Sequence, residues 1–254
     1  MPWDPRQYLN FQRERLRPAV DLLARVPLEK VRSILDLGCG AGNVTTLLAE
    51  RWPGAAIIGV DRSPDMLARA RETLAGARWV EADLHGWAPS APADLVFSNA
   101  ALHWLEDHSA LFPRLAGWVN PGGYLAVQMP GSFDHPSHTA VEELASQPRW
   151  RDLLQGLCAP AGVHSLAEYH AWLGPWAQSL DLWETTYLHL LEGEDPVIEW
   201  FKGSLLVPYL EALPAEHHEA FLEAYRGKVQ AAYPRDAGGR TPMPFRRVFL
   251  VARF

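Results

Sequence analysis

Three glycines that alternate with single residues stand where an apolar stretch changes into a helix-like one. Gly38, Gly40 and Gly42 follow the stretch SILDL and precede the segment 44–51. Because glycine lacks a Cβ atom, a ligand can approach such a turn closely and accept hydrogen bonds from its backbone N–H groups. The turn therefore predicts a site for a nucleotide-like ligand, and a tight strand-to-helix turn without a ligand is the alternative.

Acidic residues near this turn favour one kind of ligand. Asp36 lies two residues before the first glycine, Asp61 follows the stretch AIIGV, and Asp83 follows RWVEA. A carboxylate at position 36 would repel a pyrophosphate and attract an ammonium group, and the G-x-G-x-G spacing differs from the dinucleotide fingerprint G-x-G-x-x-G. Asp61 is placed to accept hydrogen bonds from ribose hydroxyls, and Asp83 from an adenine amino group. Taken singly, each carboxylate is more often a helix cap or a solvated loop residue.

The elements that must position these residues follow from hydrophobic periodicity. Apolar, β-branched runs alternate with helix-length segments through the first half of the chain, which is typical of a parallel sheet with crossover helices. The carboxyl ends of parallel strands meet at one edge, so the glycine turn and the carboxylates are expected together there. We expect an α/β fold with strands at 33–37, 56–60, 78–82, 94–99, 124–129, 183–191 and 246–254, the last two pairing antiparallel at one sheet edge.

Helical insertions are expected beyond this sheet. After residue 130 a segment rich in Trp, His and Pro shows helical spacing, and residues 197–233 form a second helical stretch. We expect a ligand-binding core with an N-terminal helix over 1–130, a helical lid over 131–182, and a segment 183–254 that completes the sheet with the second insertion.

The composition limits the kinds of partner. The chain has 23 Lys and Arg against 30 Asp and Glu, and its net charge of −7 argues against nucleic acid or an anionic membrane. Cys39 and Cys158 form no metal-ligand pattern, so neither a metal site nor a disulfide framework is expected. No segment resembles a signal peptide or a membrane span. We expect a cytoplasmic protein with no membrane partner, either a monomer or a weak homo-oligomer.

The order and spacing of four segments resemble those of class I S-adenosylmethionine-dependent methyltransferases. These are DLGCGAG, the strand end at Asp61, EADL and SNAALHWL, within residues 30–130. The resemblance implies a Rossmann-like, mostly parallel seven-stranded sheet flanked by helices, and S-adenosyl-L-methionine as the cofactor, whose ammonium and sulfonium suit acidic neighbours. Carried over by position, it implies the cofactor-binding residues Tyr8, Arg15, Asp36, Gly38, Gly40, Gly42, Asp61, Arg62, Met66, Asp83, Leu84 and Asn99.

Segments outside this core are similar to those of trans-aconitate 2-methyltransferases. They are WDPRQYLNFQRERLRPAVDLLARVP, EWFKGSLLVPYLEAL and RTPMPFRRVFLVARF, so the likeness extends over nearly the whole chain. It implies that one carboxylate of trans-aconitate is methylated to a monomethyl ester. A polycarboxylate acceptor calls for cations, because arginine binds carboxylates bidentately. The expected substrate-binding residues are His103, Trp104, Trp200, Lys202, Arg240 and Arg246, although each cation taken singly is more often a solvated surface charge.

His103 is the candidate for a catalytic role. A carboxylate acceptor is already ionised at neutral pH, so no proton has to be removed, and we assign His103 to positioning rather than to general-base catalysis. Charge is lost when an anion attacks a sulfonium methyl group, so a strong cationic contact would hold back the attacking carboxylate. We therefore expect arginine and lysine to bind the non-reacting carboxylates.

Three other functions remain open at this point. The acceptor could be another free carboxyl group, such as malonyl on an acyl carrier protein, which would call for a basic patch; residues 131–182 contain Arg149 and Arg151 but no dense basic cluster. A phenol or amine acceptor would need a base such as His103. A module that no longer catalyses would bind the cofactor tightly without turnover.

Overall fold

The strands form a single seven-stranded sheet in a computed structural model that describes residues 12–155, 157 and 162–254, without the side chains of 12–15. They are β1 (Ser33–Leu37), β2 (Ala56–Asp61), β3 (Arg78–Glu81), β4 (Ala93–Asn99), β5 (Val119–Pro130), β6 (Ser179–Leu191) and β7 (Thr241–Arg253). Their order in the sheet is β3-β2-β1-β4-β5-β7-β6. Neighbours among β1 to β5 pair in parallel, and β7 runs antiparallel to β5. The prediction of a mostly parallel, Rossmann-like α/β sheet is confirmed.

Helices connect and flank these strands. They are α1 (Gln12–Ala24), α2 (Asn43–Arg51), α3 (Pro64–Thr73), α4 (His108–Ala116), α5 (Pro136–Ala145), α6 (Pro148–Arg151), α7 (Leu166–Leu173), α8 (Pro196–Lys202), α9 (Val207–Ala212) and α10 (Ala215–Ala232), with a short 3-10 helix at Leu102–Trp104. Among the residues that the structure describes, no helix is long and apolar enough to cross a membrane.

The second helical stretch is three helices rather than one. Gly203 caps the end of α8, Pro208 lies in the first turn of α9, and Pro214 stands immediately before α10. Proline lacks the N–H that continues a helix and its ring clashes with the preceding turn, so each proline begins a new helix instead of extending the last one. The periodicity of 197–233 predicted the helical content, and these residues set its breaks.

The described residues divide into two compact units, each discontinuous in sequence. The sheet unit comprises residues 16–130, 162–185 and 247–254, and the helical unit comprises 12–15, 131–155, 157 and 186–246. Helix α7 belongs to the sheet unit, because Tyr169 and Leu173 pack in that unit's core. The three-part division of the chain at residues 130 and 182 stays a prediction.

Each unit has its own hydrophobic core. In the sheet unit, Val96, Leu125 and Leu250 of neighbouring strands are completely buried beneath α4 residues such as Phe112. In the helical unit the buried cluster is aromatic, and it includes Trp150, Phe201, Phe221 and Tyr225. Complete burial of one such side chain contributes about 1.5 to 3 kcal/mol, so each core is large enough to hold its helices in place.

Candidate functional site

The glycine turn joins the carboxyl end of β1 to helix α2. The N–H groups of Gly38 and Cys39 donate to the carbonyl oxygen of Val60 at 2.8 and 3.1 Å, which holds the turn against β2. A Cβ atom on Gly38 would lie 2.1 Å from the Cβ of Ala101, so this glycine is required by packing. Within the described residues nothing lies within 4 Å of the Cβ position on Gly40. Gly40 therefore faces open space, where a ligand can approach the backbone.

Asp61, at the end of β2, is bound to the same turn. One carboxylate oxygen accepts a hydrogen bond from the N–H of Gly40 at 2.9 Å, and the other accepts from the N–H of Ser63 at 2.9 Å. Each carboxylate oxygen has a second lone pair, so the anchored group can still accept hydrogen bonds from two hydroxyl groups. This geometry fits the expected role of Asp61 toward a ribose.

Asp36 is buried on β1, 2% exposed, beneath the glycine turn. The hydroxyl of Thr45 donates to its carboxylate at 2.6 Å. Burial raises the pKa of Asp36 to about 7; the Thr45 hydrogen bond opposes this rise and the charge of Asp61 adds to it. A cation brought close to this carboxylate would favour its ionised form, so Asp36 fits a ligand that carries an ammonium group.

Asn99 ends β4, the strand next to β1. Its side-chain oxygen Oδ1 is buried and has no hydrogen-bond partner among the described residues. A buried acceptor without a donor costs free energy, and native structures seldom leave one unexplained. Asn99 thus offers a hydrogen-bond acceptor for a ligand at the carboxyl edge of the sheet.

The residues expected around an adenine lie at the ends of β2 and β3. Arg62 is exposed, and Met66 is partly buried in the first turn of α3. The carboxylate of Asp83 accepts from the backbone N–H of His85 and contacts its ring Nδ1, both at 2.9 Å, and these hydrogen bonds hold the pKa of Asp83 below its ordinary value. Leu84 packs against the core of the sheet unit. An ionised acceptor and an apolar side chain are therefore adjacent here.

His103 and Trp104 follow β4 on the 3-10 helix. Their ring centroids lie 5.1 Å apart with the planes tilted by 40°. His103 is buried, whereas Trp104 is 38% exposed. Of this predicted pair, Trp104 presents more surface to a ligand.

The three cations expected to bind the acceptor belong to the helical unit, and each contacts a nearby carboxylate. Lys202 pairs with Glu199 at 2.5 Å, and Arg240 pairs with Asp236 at 3.4 Å. Arg246 pairs with Asp134 at 3.0 Å and also donates to the carbonyl of Gly131. Since partly exposed ion pairs contribute little stability, these cations can exchange partners at low cost.

Trp200 is buried in the aromatic core of the helical unit. Its ring lies 4.7 Å from that of His189 and 5.9 Å from that of Phe245. Tyr8 and the side chain of Arg15 lie outside the described residues, so their roles at the cofactor stay predictions.

Two buried polar residues of the sheet unit were missed by the sequence analysis. Gln128 is 0% exposed near the end of β5, and Arg247 is 6% exposed on β7. A glutamine within the apolar run YLAVQM was the available signal for the first. For the second, the signal was that adjacent arginines on one strand, Arg246 and Arg247, must point to opposite faces. Among the residues whose placement is described, no three His, Cys, Asp or Glu side chains gather to hold a metal ion.

Comparisons with known proteins agree on one family. Residues 34–123 match the family model described as "Methyltransferase domain". A trans-aconitate 2-methyltransferase of Azoarcus sp. (strain BH72) is 48% identical over 250 residues, 98% of each chain. Further relatives with this name are 43% to 49% identical over 98% to 99% of the chain.

Solved structures support the fold. The YcgJ protein from Bacillus subtilis has a TM-score of 0.59 at 13% identity, covering 93% of this chain and 97% of its own. Phosphoethanolamine N-methyltransferase 2 of Haemonchus contortus, in complex with S-adenosyl-L-methionine, has a TM-score of 0.54 at 18% identity, covering 93% of this chain and 52% of its own. Likeness at this identity concerns the fold, whereas the relatives match at high identity over almost all of the sequence. The chain therefore belongs to the trans-aconitate 2-methyltransferase family.

Proposed function

We propose that this protein transfers the methyl group of S-adenosyl-L-methionine to one carboxylate of trans-aconitate and forms its monomethyl ester. The observation that carries the proposal is the 48% identity over 98% of both chains with a relative of that name. The substrate is accordingly a small molecule. We also infer a cytoplasmic monomer or weak homo-oligomer with no nucleic-acid partner; the net charge of −7 supports the last of these inferences.

The carboxyl edge of the sheet fits this cofactor residue by residue. Gly38, Gly40 and Gly42 would line the methionyl chain, with open space at Gly40. Asp36 would lie near the ammonium group and Asp61 would accept the ribose hydroxyls. Arg62, Met66, Asp83 and Leu84 would surround the adenine, Asn99 would reach the reacting end, and Tyr8 and Arg15 would close over the carboxylate.

When bound, the cofactor supplies an electrophilic methyl group on a sulfonium. The protein's part is to hold a carboxylate oxygen in line with that methyl group, which removes much of the entropic cost of the encounter. The attacking oxygen uses its own electron pair and is ionised at neutral pH, so no residue has to take up a proton there. His103 and Trp104 are therefore assigned to positioning the acceptor.

Cations have a restricted role in this reaction. An anion and a cation become two neutral groups, so a guanidinium bound to the attacking carboxylate would stabilise the ground state more than the transition state. Lys202, Arg240 and Arg246 are proposed to bind non-reacting carboxylates, and Trp200 to wall the acceptor. The charge and the residue type of the three cations support this role.

The test is a parallel turnover assay with trans-aconitate, cis-aconitate, isocitrate and citrate, in which a base-labile methyl ester is detected by mass. Ester formation well above the others with trans-aconitate is the expected result. Turnover of a different acid would overturn the acceptor and keep the carboxyl methylation. Cofactor binding without any turnover would instead favour a carrier-bound or phenolic acceptor, or a module that binds without catalysis.

A further inference from the structure

Gln128 is an unusual side chain for the interior of a sheet. It is completely buried, and both atoms of its amide, Oε1 and Nε2, lack a hydrogen-bond partner within the described part of the chain. An amide buried in this way loses its hydration without compensation. A buried amide without a partner near the end of a strand is therefore a candidate for hydrogen bonding to a ligand.

The register of the sheet places Gln128 beside the predicted reacting end of the cofactor. Gln128 pairs in parallel with Asn99, and its backbone carbonyl accepts a hydrogen bond from the N–H of Ala100 at 2.9 Å. Residues in register point to the same face of a sheet, and neighbouring strands lie about 4.8 Å apart. The side chains of Asn99 and Gln128 are therefore neighbours on one face of the sheet. Asp36 lies on this face too, because it pairs with Phe97, which is two residues before Asn99 on β4.

Arg247 lies on this face as well. On the antiparallel side Gln128 pairs with Phe249 and Pro130 pairs with Arg247, so Arg247 is two residues beyond Gln128 toward the carboxyl edge. A guanidinium keeps its charge even when buried, and it suits a carboxylate because its donors are planar and bidentate. Arg246, one position earlier, faces the other way by strand alternation.

The order of strands separates the residues proposed for the cofactor from Gln128 and Arg247. The residues proposed for the adenine, the ribose, the methionyl chain and the reacting end follow β3, β2, β1 and β4. The next strands along the same edge are β5 and β7, which carry Gln128 and Arg247. Continuing along the sheet past the reacting end thus leads to a neutral amide and then to a buried cation.

We propose, resting on the proposed function, that Gln128 and Arg247 bind the carboxylates of the acceptor. The Nε2 group of Gln128 donates to the attacking carboxylate, and the guanidinium of Arg247 binds a non-reacting one. A neutral donor orients the attacking oxygen without adding a full positive charge, whereas the cation on the next strand supplies affinity for the acceptor. Under this assignment β5 carries the residue that orients the attacking carboxylate, and the adjacent strand β7 carries the residue that binds a non-reacting one.

The experiment compares the wild-type protein with Gln128→Met, Gln128→Glu and Arg247→Met. Each protein is characterised by its melting temperature, its calorimetric Kd for S-adenosyl-L-methionine, and its KM and kcat for the acceptor. Trans-aconitate is also titrated into each protein with S-adenosylhomocysteine present, which measures acceptor binding without turnover. Arg253→Met is the matched control, because Arg253 lies on the same strand and face at the opposite end of the sheet.

Gln128→Met should keep the cofactor Kd within about twofold, hold or raise the melting temperature, and weaken acceptor binding by about tenfold or more, the loss of one charge-assisted hydrogen bond. Gln128→Glu should weaken it further through repulsion between carboxylates. Arg247→Met should raise the acceptor KM more than it lowers kcat. The control should match the wild type in every measurement.

Unchanged acceptor binding in Gln128→Met and Gln128→Glu would overturn the assignment. So would a variant of either residue whose cofactor Kd rises as much as its acceptor KM. A lower melting temperature of Gln128→Met without any effect on acceptor binding would also overturn it. If the wild type esterifies another of the four acids, the same comparison with that acid tests the inference although the proposed acceptor has failed. If the wild type esterifies trans-aconitate and the variants are unaffected, this inference alone fails. Absence of turnover with all four acids would overturn both.

Discussion

The carboxylate of Asp61 accepts a hydrogen bond from the backbone N–H of Gly40 at 2.9 Å, across 21 positions of sequence. The same carboxylate accepts from Ser63, at the start of α3. One side chain thus joins the end of β2, the glycine turn and the next helix. The open backbone of the turn and the anchored carboxylate are consequently held in one geometry.

Replacing Asp61 should therefore weaken cofactor binding strongly. Asp61→Ala removes the two acceptors proposed for the ribose hydroxyls and releases the turn, and charge-assisted hydrogen bonds contribute about 1.5 to 3 kcal/mol each. We expect the Kd for S-adenosyl-L-methionine to rise by about 100-fold in calorimetry. Asp65→Ala, which removes an exposed carboxylate in the first turn of α3, is the control and should bind as the wild type does. An unchanged Kd in Asp61→Ala would remove Asp61 from the site.

Gly38 and Gly40 should respond differently to the same substitution. A Cβ on Gly38 would meet Ala101 at 2.1 Å, so Gly38→Ala should destabilise the protein by about 2 to 3 kcal/mol or more, and Ala101→Gly should restore part of this loss. Gly40 has a φ of +55° but open space, so Gly40→Ala should cost only about 1 kcal/mol. Its main effect should be on the cofactor Kd, because the new methyl group would enter the space proposed for the methionyl chain.

Chemical denaturation and cofactor titration of both variants separate the two roles. Equal losses of stability in the two variants, or a Gly40→Ala protein with wild-type cofactor affinity, would contradict the assignment of Gly40 to the ligand.

Asp36 should make the protein less stable as pH rises. Its pKa is about 7 in the folded protein against 3.8 for the ordinary group. Between these two values the unfolded chain has lost the proton that the folded protein keeps, so the free energy of unfolding falls from about pH 4 to pH 7 and then levels. The loss is on the order of 4 kcal/mol. In urea denaturation, the free energy of unfolding of the wild type should fall over this pH range more than that of Asp36→Asn. The same pH dependence in both proteins would refute the prediction.

Cofactor binding should follow the same titration in the opposite direction. An ammonium group favours the ionised carboxylate, so affinity should increase from about pH 5 to about pH 6.5, below the pKa of about 7.7 to 8.0 of an ordinary α-amino group, and a proton should be released. Calorimetry in buffers of different ionisation enthalpy measures that proton. Asp36→Asn should abolish the dependence, and Thr45→Val should move it to higher pH, because the hydroxyl that favours the ionised form is gone. A pH-independent wild-type affinity would place the ammonium elsewhere.

Loss of the imidazole of His103 should not abolish turnover. General-base catalysis contributes about 10² to 10⁴ in rate, but an ionised carboxylate has no proton to give up. We expect kcat of His103→Gln to fall by less than about tenfold and the pH–rate profile to keep its shape. A loss of 10³ or more with a changed profile would indicate an acceptor that must be deprotonated, such as a phenol or an amine.

Local sequence was sufficient to predict the α/β class and to place the glycine turn and its neighbouring carboxylates at one edge of the sheet. The alternation of apolar and helix-length segments is a local property. It predicted strands at the positions of β1 to β5 and two further strands at one edge of the sheet, where β7 and β6 lie. Glycines and carboxylates immediately after a strand are brought to one edge by the parallel arrangement itself. This is why the turn at Gly38 to Gly42, Asp61 and Asp83 could be found by reading along the chain.

The acceptor side depended on tertiary structure. Whether Arg246 or Arg247 shares a face of the sheet with Gln128 follows from the register of β7 against β5, and a shift of one residue would exchange them. Tertiary contacts also decide the partners of the other groups. Glu199 contacts Lys202 and Asp134 contacts Arg246, whereas the buried amide of Gln128 has no partner among the described residues. The sequence by itself determined which residues follow which strand; only the folded sheet decided which side chains share a face and which are buried, because register and burial are set by pairing between segments far apart in the chain.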